Sequence, residues 1–349
     1  MQKLLTIIIP TYNMQKYLHH CLDSLIVSDE QLKQLEVLVI NDGSKDKSSA
    51  IAHEYEHRYP NTFHVIDKEN GNYGSCVNKG LEIATGKYVK VLDADDSFDT
   101  NNFEDYLRFL NGVDADLVVT PCTIVDESDR ECGNVIYDLP TNTLLTWEQL
   151  TLAFKKKSLQ MHVVTYKLQN LKSIQYKQTE GISYTDQEWI FTPLITVNTA
   201  MAYPDAIYRY LLGREGQTVN PEVFKRNLSH NEQCCRRIIK DYKSFEAFEP
   251  HKQEYIDYKF LTTMRSMYNW YLVSYPDADI TQLERYDDFV RSVDKSYMNL
   301  LDAQTLEFTS YHYIKRWHQD RRKRIKICAL YYLYARIIHR VSRIVCRRD

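Results

Sequence analysis

The segment Asp93-Ala94-Asp95-Asp96 places three carboxylates within four residues, directly after the apolar run Tyr88-Val89-Lys90-Val91-Leu92. In a core such a cluster is expensive to desolvate. At the carboxyl end of a parallel strand it can hold a divalent cation through oxygen ligands, and the cation can hold the phosphates of a nucleotide-activated substrate. Three more polar clusters follow apolar runs: Pro10-Thr11-Tyr12-Asn13, Asn41-Asp42-Gly43-Ser44 and Lys68-Glu69-Asn70-Gly71. Ligands of open α/β sheets bind at the carboxyl edge of the strands, so the four clusters predict one polar site. Asp42 and Asn70 have the chemistry to accept hydrogen bonds from a base or ribose. Gly71, Gly74, Gly80 and Gly86 allow close backbone approach. No G-x-G-x-x-G loop is present, which disfavours a nicotinamide enzyme.

The elements that must position these residues alternate between short apolar runs and helical patterns, as in βαβ units. Strands are predicted at Leu5–Ile9, with Pro10 ending the first, then Val37–Ile40, Phe63–Ile66, Tyr88–Leu92 and Leu117–Thr120. Helices are predicted near Tyr17–Leu25, Lys47–Arg58, Ser75–Ala84 and Phe103–Leu110. Ser44-Lys45-Asp46 and Asp99-Thr100-Asn101 supply helix-start chemistry. Residues 121–150 carry polar turns, and residues 222–308 read as helical and Tyr-rich. The predicted fold is α/β: a mostly parallel sheet with helices on both faces, followed by a helical C-terminal region.

Together these motifs resemble the nucleotide-binding half of family 2 glycosyltransferases, which adopt the GT-A fold. The resemblance rests on Thr-Tyr-Asn after the first strand, Asn-Asp-Gly-Ser after the second, Glu-Asn-Gly and Asn-x-Gly, and Leu-Asp-Ala-Asp-Asp. It implies that Thr11, Asp42, Asn70 and Asp93 contact the nucleotide, that Asp95 ligates Mn²⁺ or Mg²⁺, and that Asp96 supports either the sugar or the residues around the metal. Many relatives carry Arg just before the residue matching Asn78; here that position is Val77. The implied domains are 1–100 for nucleotide-sugar binding, 101–220 for the acceptor and base, 221–314 as a helical extension and 315–349 as a basic tail.

A second constellation is Tyr184-Thr185-Asp186-Gln187-Glu188-Trp189. An attacking hydroxyl must shed a proton, which calls for a base beside it. Relatives place a carboxylate about ninety residues past the metal motif; Asp186 matches that position, with Glu188 as the alternative because Thr185 replaces the usual Glu. If Asp186 and Trp189 share a helix face, the indole forms a platform for an acceptor sugar. A third segment, Tyr208–Thr218, resembles the one with which the family closes over the diphosphate. Arg214 or Arg209 can neutralise the leaving group there, and Gln217 or Thr218 can donate to phosphate oxygens.

Composition narrows the setting. With 349 residues, 44% hydrophobic and 26% charged, the chain reads as an ordinary soluble globular protein. The eight Cys form no CxxC pair or zinc spacing and predict reduced thiols in the cytoplasm. No signal peptide or membrane-spanning run is predicted. From Lys315 onward twelve basic residues face two acidic ones, a balance of +10 within a net charge of −3. In helical projection Arg336, Arg340, Arg343 and Arg347 oppose Tyr334, Ile338, Val341 and Val345, after the run Arg321-Arg322-Lys323-Arg324. That pattern predicts a tail lying on an anionic membrane surface at the inner face of the plasma membrane, in preference to packing on the acidic body or binding nucleic acid. The expected activity is metal-dependent, inverting transfer of a sugar from a nucleotide-sugar donor, a UDP-sugar by expectation, to a saccharide or lipid-linked saccharide in bacterial surface polysaccharide synthesis. A metal-dependent nucleotidyltransferase and an inactive nucleotide-sugar-binding protein are the alternatives.

Overall fold

The computed structural model describes residues 3–320 except 215, 219, 276, 307 and 308, so the amphipathic tail after residue 320 lies outside the described residues. Chain contacts divide the protein into two units, Met1–Phe260 and Leu261–Asp349.

The first unit is built on two sheets. Its strands are β1 (Leu5–Thr11), β2 (Leu35–Asn41), β3 (Phe63–Asp67), β4 (Tyr88–Val91), β5 (Ser97–Phe98) and β6 (Leu117–Val119). They continue with β7 (Cys122–Val125), β8 (Glu131–Val135), β9 (Leu144–Leu145), β10 (Val164–Lys167), β11 (Ala200–Ala202) and β12 (Tyr208–Leu211). The large sheet runs β3-β2-β1-β4-β10-β6-β11-β9 and the small one β5-β12-β7-β8. Strands β1 to β4 pair in parallel, and every residue of β2 and β4 is buried. Helices covering both faces of a parallel sheet require such near-continuous apolar runs. The parallel expectation gives way at β10, which pairs antiparallel with both β4 and β6. Pro10 does not end β1: the ladder continues to Thr11, whose carbonyl accepts from Asp42 N at 2.8 Å.

Strand order reverses beside β1, with β2 and β3 to one side and β4 to the other. Connections diverge there and leave a crevice at the strands' carboxyl ends, where Thr11, Asp42 and the Asp93–Asp96 segment lie. The loops after β1 and β2 are zipped together across that edge. Asn13 N donates to Ser44 Oγ at 3.0 Å, Lys45 N to Asn13 Oδ1 at 2.8 Å and Met14 N to Ser48 Oγ at 2.8 Å. Helix starts follow the sequence signals, with Asp99 accepting from Asn102 N and Asp46 from Ser48 N.

Two charged residues inside the sheet, Glu36 and Lys90, are held by hydrogen bonds. Glu36 of β2 accepts from Thr6 Oγ1, Thr85 N and Thr85 Oγ1. Lys90 of β4, with no exposed surface, donates to the carbonyls of His162 and Val164, and burial lowers its pKa to about 7.

The helix Asn72–Ile83 packs tightly on the segment that leads to Asp186. Asn78 accepts from Gln178 N at 2.8 Å and donates to Gln178 O at 2.9 Å, and Gly181 N donates to Gly71 O at 2.9 Å. At Gly74 the approach is closest: a Cβ there would fall on the carbonyl oxygen of Thr179.

The second unit is helical, with helices Ile280–Val293, Tyr297–Asp302 and Tyr313–Gln319. Its buried Asp287 accepts from Tyr268 Oη at 2.6 Å and from His318 Nε2 at 2.7 Å, while His318 Nδ1 donates to Asp302 at 2.6 Å. Burial opposes charge on His318, but the two carboxylates outweigh it and hold its pKa above the usual value.

Gly74→Ala is expected to lower unfolding stability by about 1–3 kcal/mol through this backbone clash. The check is the shift in urea midpoint at constant m-value.

Candidate active site

The site's floor is the acidic turn after β4. Asp96 is 2% exposed and has both oxygens engaged, Oδ2 by Tyr208 Oη at 2.6 Å and Oδ1 by Leu211 N at 2.7 Å. Of its two expected roles these partners fit the supporting one: it anchors β12 of the small sheet beneath the turn. Tyr208 Oη also accepts from Asp93 N at 3.1 Å, so one hydroxyl ties both ends of the turn. Tyr73 Oη donates to Asp93 Oδ1 at 2.7 Å. Burial, reinforced by the neighbouring charge of Asp95, pushes the Asp93 carboxyl up to about 7. Burial and the same like charges push Asp96 well above the usual range.

Asp95 meets a cation from this chain: Arg214 Nε donates to its Oδ2 at 2.5 Å, and the guanidinium lies 5.7 Å from the Tyr17 ring centroid. The two candidate arginines thus separate. Arg214 reaches the metal motif, whereas Arg209 pairs with Asp129 at 2.9 Å and Glu131 at 3.4 Å on the β7–β8 hairpin. Gln217 is not offered to phosphate. Its amide accepts from Gly213 N at 2.8 Å and donates to Leu211 O at 2.6 Å, bracing the loop that carries Arg214. Thr218 is exposed, and its carbonyl accepts from Tyr184 Oη at 2.9 Å.

A divalent cation fits this floor. Asp93, Asp96 and His162 bring ligand atoms within 4.8 Å of one another, and oxygen donors with one imidazole suit Mn²⁺ or Mg²⁺. Burial, followed by the charge of Lys90, lowers the His162 pKa to about 3, keeping the ring neutral as a ligand must be. Asp95 adds negative charge beside this cluster, offset in part by Arg214.

Around the rim, Asp42 is 3% exposed and its Oδ1 accepts from Lys68 Nζ at 2.6 Å and Gly71 N at 2.9 Å. Asn70 is exposed and donates to Asp42 O at 3.0 Å. Thr11 is buried, its hydroxyl donating to Ile9 O at 3.1 Å.

Asp186 and Glu188 are separated by their partners. Glu188, 1% exposed, accepts from Thr179 N at 2.8 Å and Thr179 Oγ1 at 2.7 Å. Asp186 is bonded locally, accepting from the Gln187 side chain at 3.2 Å to Oδ2 and from the backbone of Gln187 and of Asp186 itself. Burial pushes its carboxyl up to about 6, against the opposing charge of Lys259. Its charge also bears on Asp93 and Tyr73, which places it at the same cleft. Trp189 does not form a sugar platform. The helix Asp186–Trp189 is a single turn, and its last residue enters the core at 1% exposure between Tyr166 and Tyr176.

Sequence reasoning missed the roles of Tyr73, His162 and Tyr208. Tyr73 and Tyr208 stand inside segments that the sequence singled out, but their partners Asp93 and Asp96, and the approach of His162 to both, come only from tertiary folding.

Residues 6–175 match the family model for glycosyl transferase family 2. The uncharacterized glycosyltransferase YibD of Escherichia coli K12 is 30% identical over 60% of this chain and 61% of its own. The minor teichoic acid biosynthesis protein GgaB of Bacillus subtilis is 36% identical over 30% of this chain and 12% of its own. The chain spans between 34% and 61% of the length of the first relatives that it matches. Among solved structures, S. aureus TarS 1–349 in complex with UDP-GlcNAc superposes with TM-score 0.68 at 21% identity, covering 90% of this chain and 91% of that one.

The partner sets predict different phenotypes for two neighbouring carboxylates. Asp186→Asn should lower the turnover number by about 10²–10⁴ with little change in melting temperature. Glu188→Gln should instead lower stability by about 1–3 kcal/mol while turnover persists. Thermal melts alongside nucleotide-release rates test the pair.

With its motif residues gathered at one crevice of a GT-A sheet, residues 6–175 of this chain are a glycosyl transferase family 2 domain.

Proposed function

We propose that the protein is a metal-dependent, inverting glycosyltransferase that moves one sugar from a nucleotide-diphosphate donor, a UDP-sugar, to a saccharide hydroxyl. The observation that carries this reading is Asp186. It is a carboxylate that burial raises to about 6, held only by its immediate neighbours in the chain, and its charge bears on Asp93 of the acidic turn that would hold the donor. In a single displacement the acceptor oxygen attacks the anomeric carbon as its proton passes to Asp186. The carbon–oxygen bond to the diphosphate breaks, and the nucleoside diphosphate leaves with the bonding electrons. Asp42 and Asn70 lie where a base and ribose would bind, and Arg214 is within reach of the leaving phosphates. Mn²⁺ or Mg²⁺ held by Asp95, with Asp93 and His162 nearby, would neutralise developing phosphate charge.

The UDP-GlcNAc complex of TarS supports a UDP donor, and the teichoic acid role in GgaB's name supports a cell-surface polymer as destination. No helix among the described residues is long and apolar enough to cross a membrane. The basic residues from Lys315 onward would bring the enzyme to an anionic membrane face, where a lipid-linked acceptor resides.

Mn²⁺-dependent nucleotide release across UDP-, GDP- and dTDP-sugars tests the proposal. One UDP-sugar should turn over, and Asp95→Ala should reduce that rate at least a hundredfold; indifference to both metal and Asp95 would sink the metal-dependent reading. Because the base works only when ionised, kcat/KM should fall about tenfold per pH unit below roughly pH 6. A flat acid limb down to pH 4.5 would exclude Asp186 as the base.

A further inference from the structure

His162 stands in the short turn Met161–Val163 that leads into β10, and its backbone carbonyl accepts from Lys90 Nζ at 2.6 Å. Its ring packs against two tyrosines of β12: Tyr210 stacks on it with centroids 4.4 Å apart, and Tyr208 meets it edge-on at 4.9 Å. Aromatic packing thus fixes the imidazole in place. Its Nδ1 is shut off from solvent and has no hydrogen-bond partner among the described residues. A core histidine ordinarily spends that nitrogen on a neighbouring group, and an orphaned one is costly.

The groups nearest to complete it are carboxylates. A ring nitrogen of His162 and one oxygen each of Asp93 and Asp96 lie within 4.8 Å of one another, yet no hydrogen bond joins the ring to either among the described residues. Ligand atoms that share one octahedral ion lie roughly 3–4 Å apart, since each sits about 2 Å from it. The spacing therefore suits a shared cation better than direct pairing. Asp96 already gives both oxygens to Tyr208 and Leu211, whereas Asp93 is bonded at Oδ1, by Tyr73. An imidazole also changes which cation fits. Mg²⁺ favours oxygen ligands and keeps its waters, while nitrogen donors favour first-row transition ions, of which Mn²⁺ still takes carboxylates readily. We propose that His162 is a metal ligand alongside Asp93, and that it makes the site select Mn²⁺ over Mg²⁺. This rests on the metal-dependent reading above, and it adds a nitrogen to a ligand set that the acidic turn alone would make entirely of oxygen.

The test reads the bound ion directly, without turnover. Full-length protein with UDP is loaded with Mn²⁺, and electron spin-echo spectra are recorded with unlabelled and ¹⁵N-histidine protein. Wild type should show nitrogen modulation on the bound Mn²⁺ that changes with the label, and His162→Gln should lose it. Dissociation constants for Mn²⁺ and Mg²⁺ at fixed UDP supply the second arm. Removing even an outer partner of a metal ligand costs about 10–100-fold in affinity, so His162→Ala and His162→Gln should each weaken Mn²⁺ binding by about tenfold or more. Mg²⁺ binding should change far less, which lowers the ratio of the two affinities. That ratio is internal to each variant, so a general loosening around Tyr208 and Tyr210 cancels. Bound Mn²⁺ without nitrogen modulation in wild type overturns the proposal and leaves the metal-dependent reading standing. Variants that keep the wild-type affinity ratio overturn it as well. A wild-type protein that binds no Mn²⁺ in the presence of UDP removes both this proposal and the metal-dependent reading.

Discussion

Three carboxylates at the end of one buried strand repel one another and resist desolvation, and much of the first unit can be read as the response. Asp96 is stabilised by the Tyr208 hydroxyl and the Leu211 amide, Asp95 by Arg214, and Asp93 by the Tyr73 hydroxyl. Only Asp96 is satisfied at both oxygens by groups that cannot leave without dismantling β12. Asp93 and Asp95 are held by a phenol and a loop arginine, which a ligand can displace. The turn therefore divides into one carboxylate tied to a strand and two held by side chains alone. The small sheet β5-β12-β7-β8 gains a purpose from this, since it carries Tyr208 and Leu211 to the floor of the site.

The same division runs through the other motifs. Asn13, Ser44 and Asp46 spend their side chains joining the loops after β1 and β2. Asp42 sits beside the frame so formed, buried and bonded to Lys68 and Gly71, while Asn70 is exposed above it. A motif in this fold mixes residues whose side chains are spent on the rim with residues left open to solvent, and side-chain partners sort the two.

The central strands and helices were legible in the sequence because β1 to β4 are apolar runs with polar ends, and that pattern needs no partner to be recognised. That Asp93 and Asp95 follow a buried strand and that Asp186 opens a helix was legible for the same local reason: carboxylates after an apolar run or at a helix start. Legibility stopped where the partner lies far along the chain. Tyr208 is 112 residues from the Asp96 that it holds, and nothing local marks that pairing. The antiparallel β10 was hidden because a short buried strand reads alike in either direction. Trp189 misled because helical spacing was applied to a helix of one turn, and Gln217 because a polar side chain in a loop can be spent on the loop itself.

The stitching of residues 178–181 along the helix Asn72–Ile83 bears on how such an enzyme changes over time. Asn78 clasps Gln178 on both sides, Gly74 leaves no room at Thr179, and Glu188 grips Thr179 two residues past Asp186. Asp186 and the helix Asn72–Ile83 are thereby parts of one frame, with their spacing set by backbone contacts. Substitutions in the later helices leave those contacts unchanged, so the two segments of the frame can only change together.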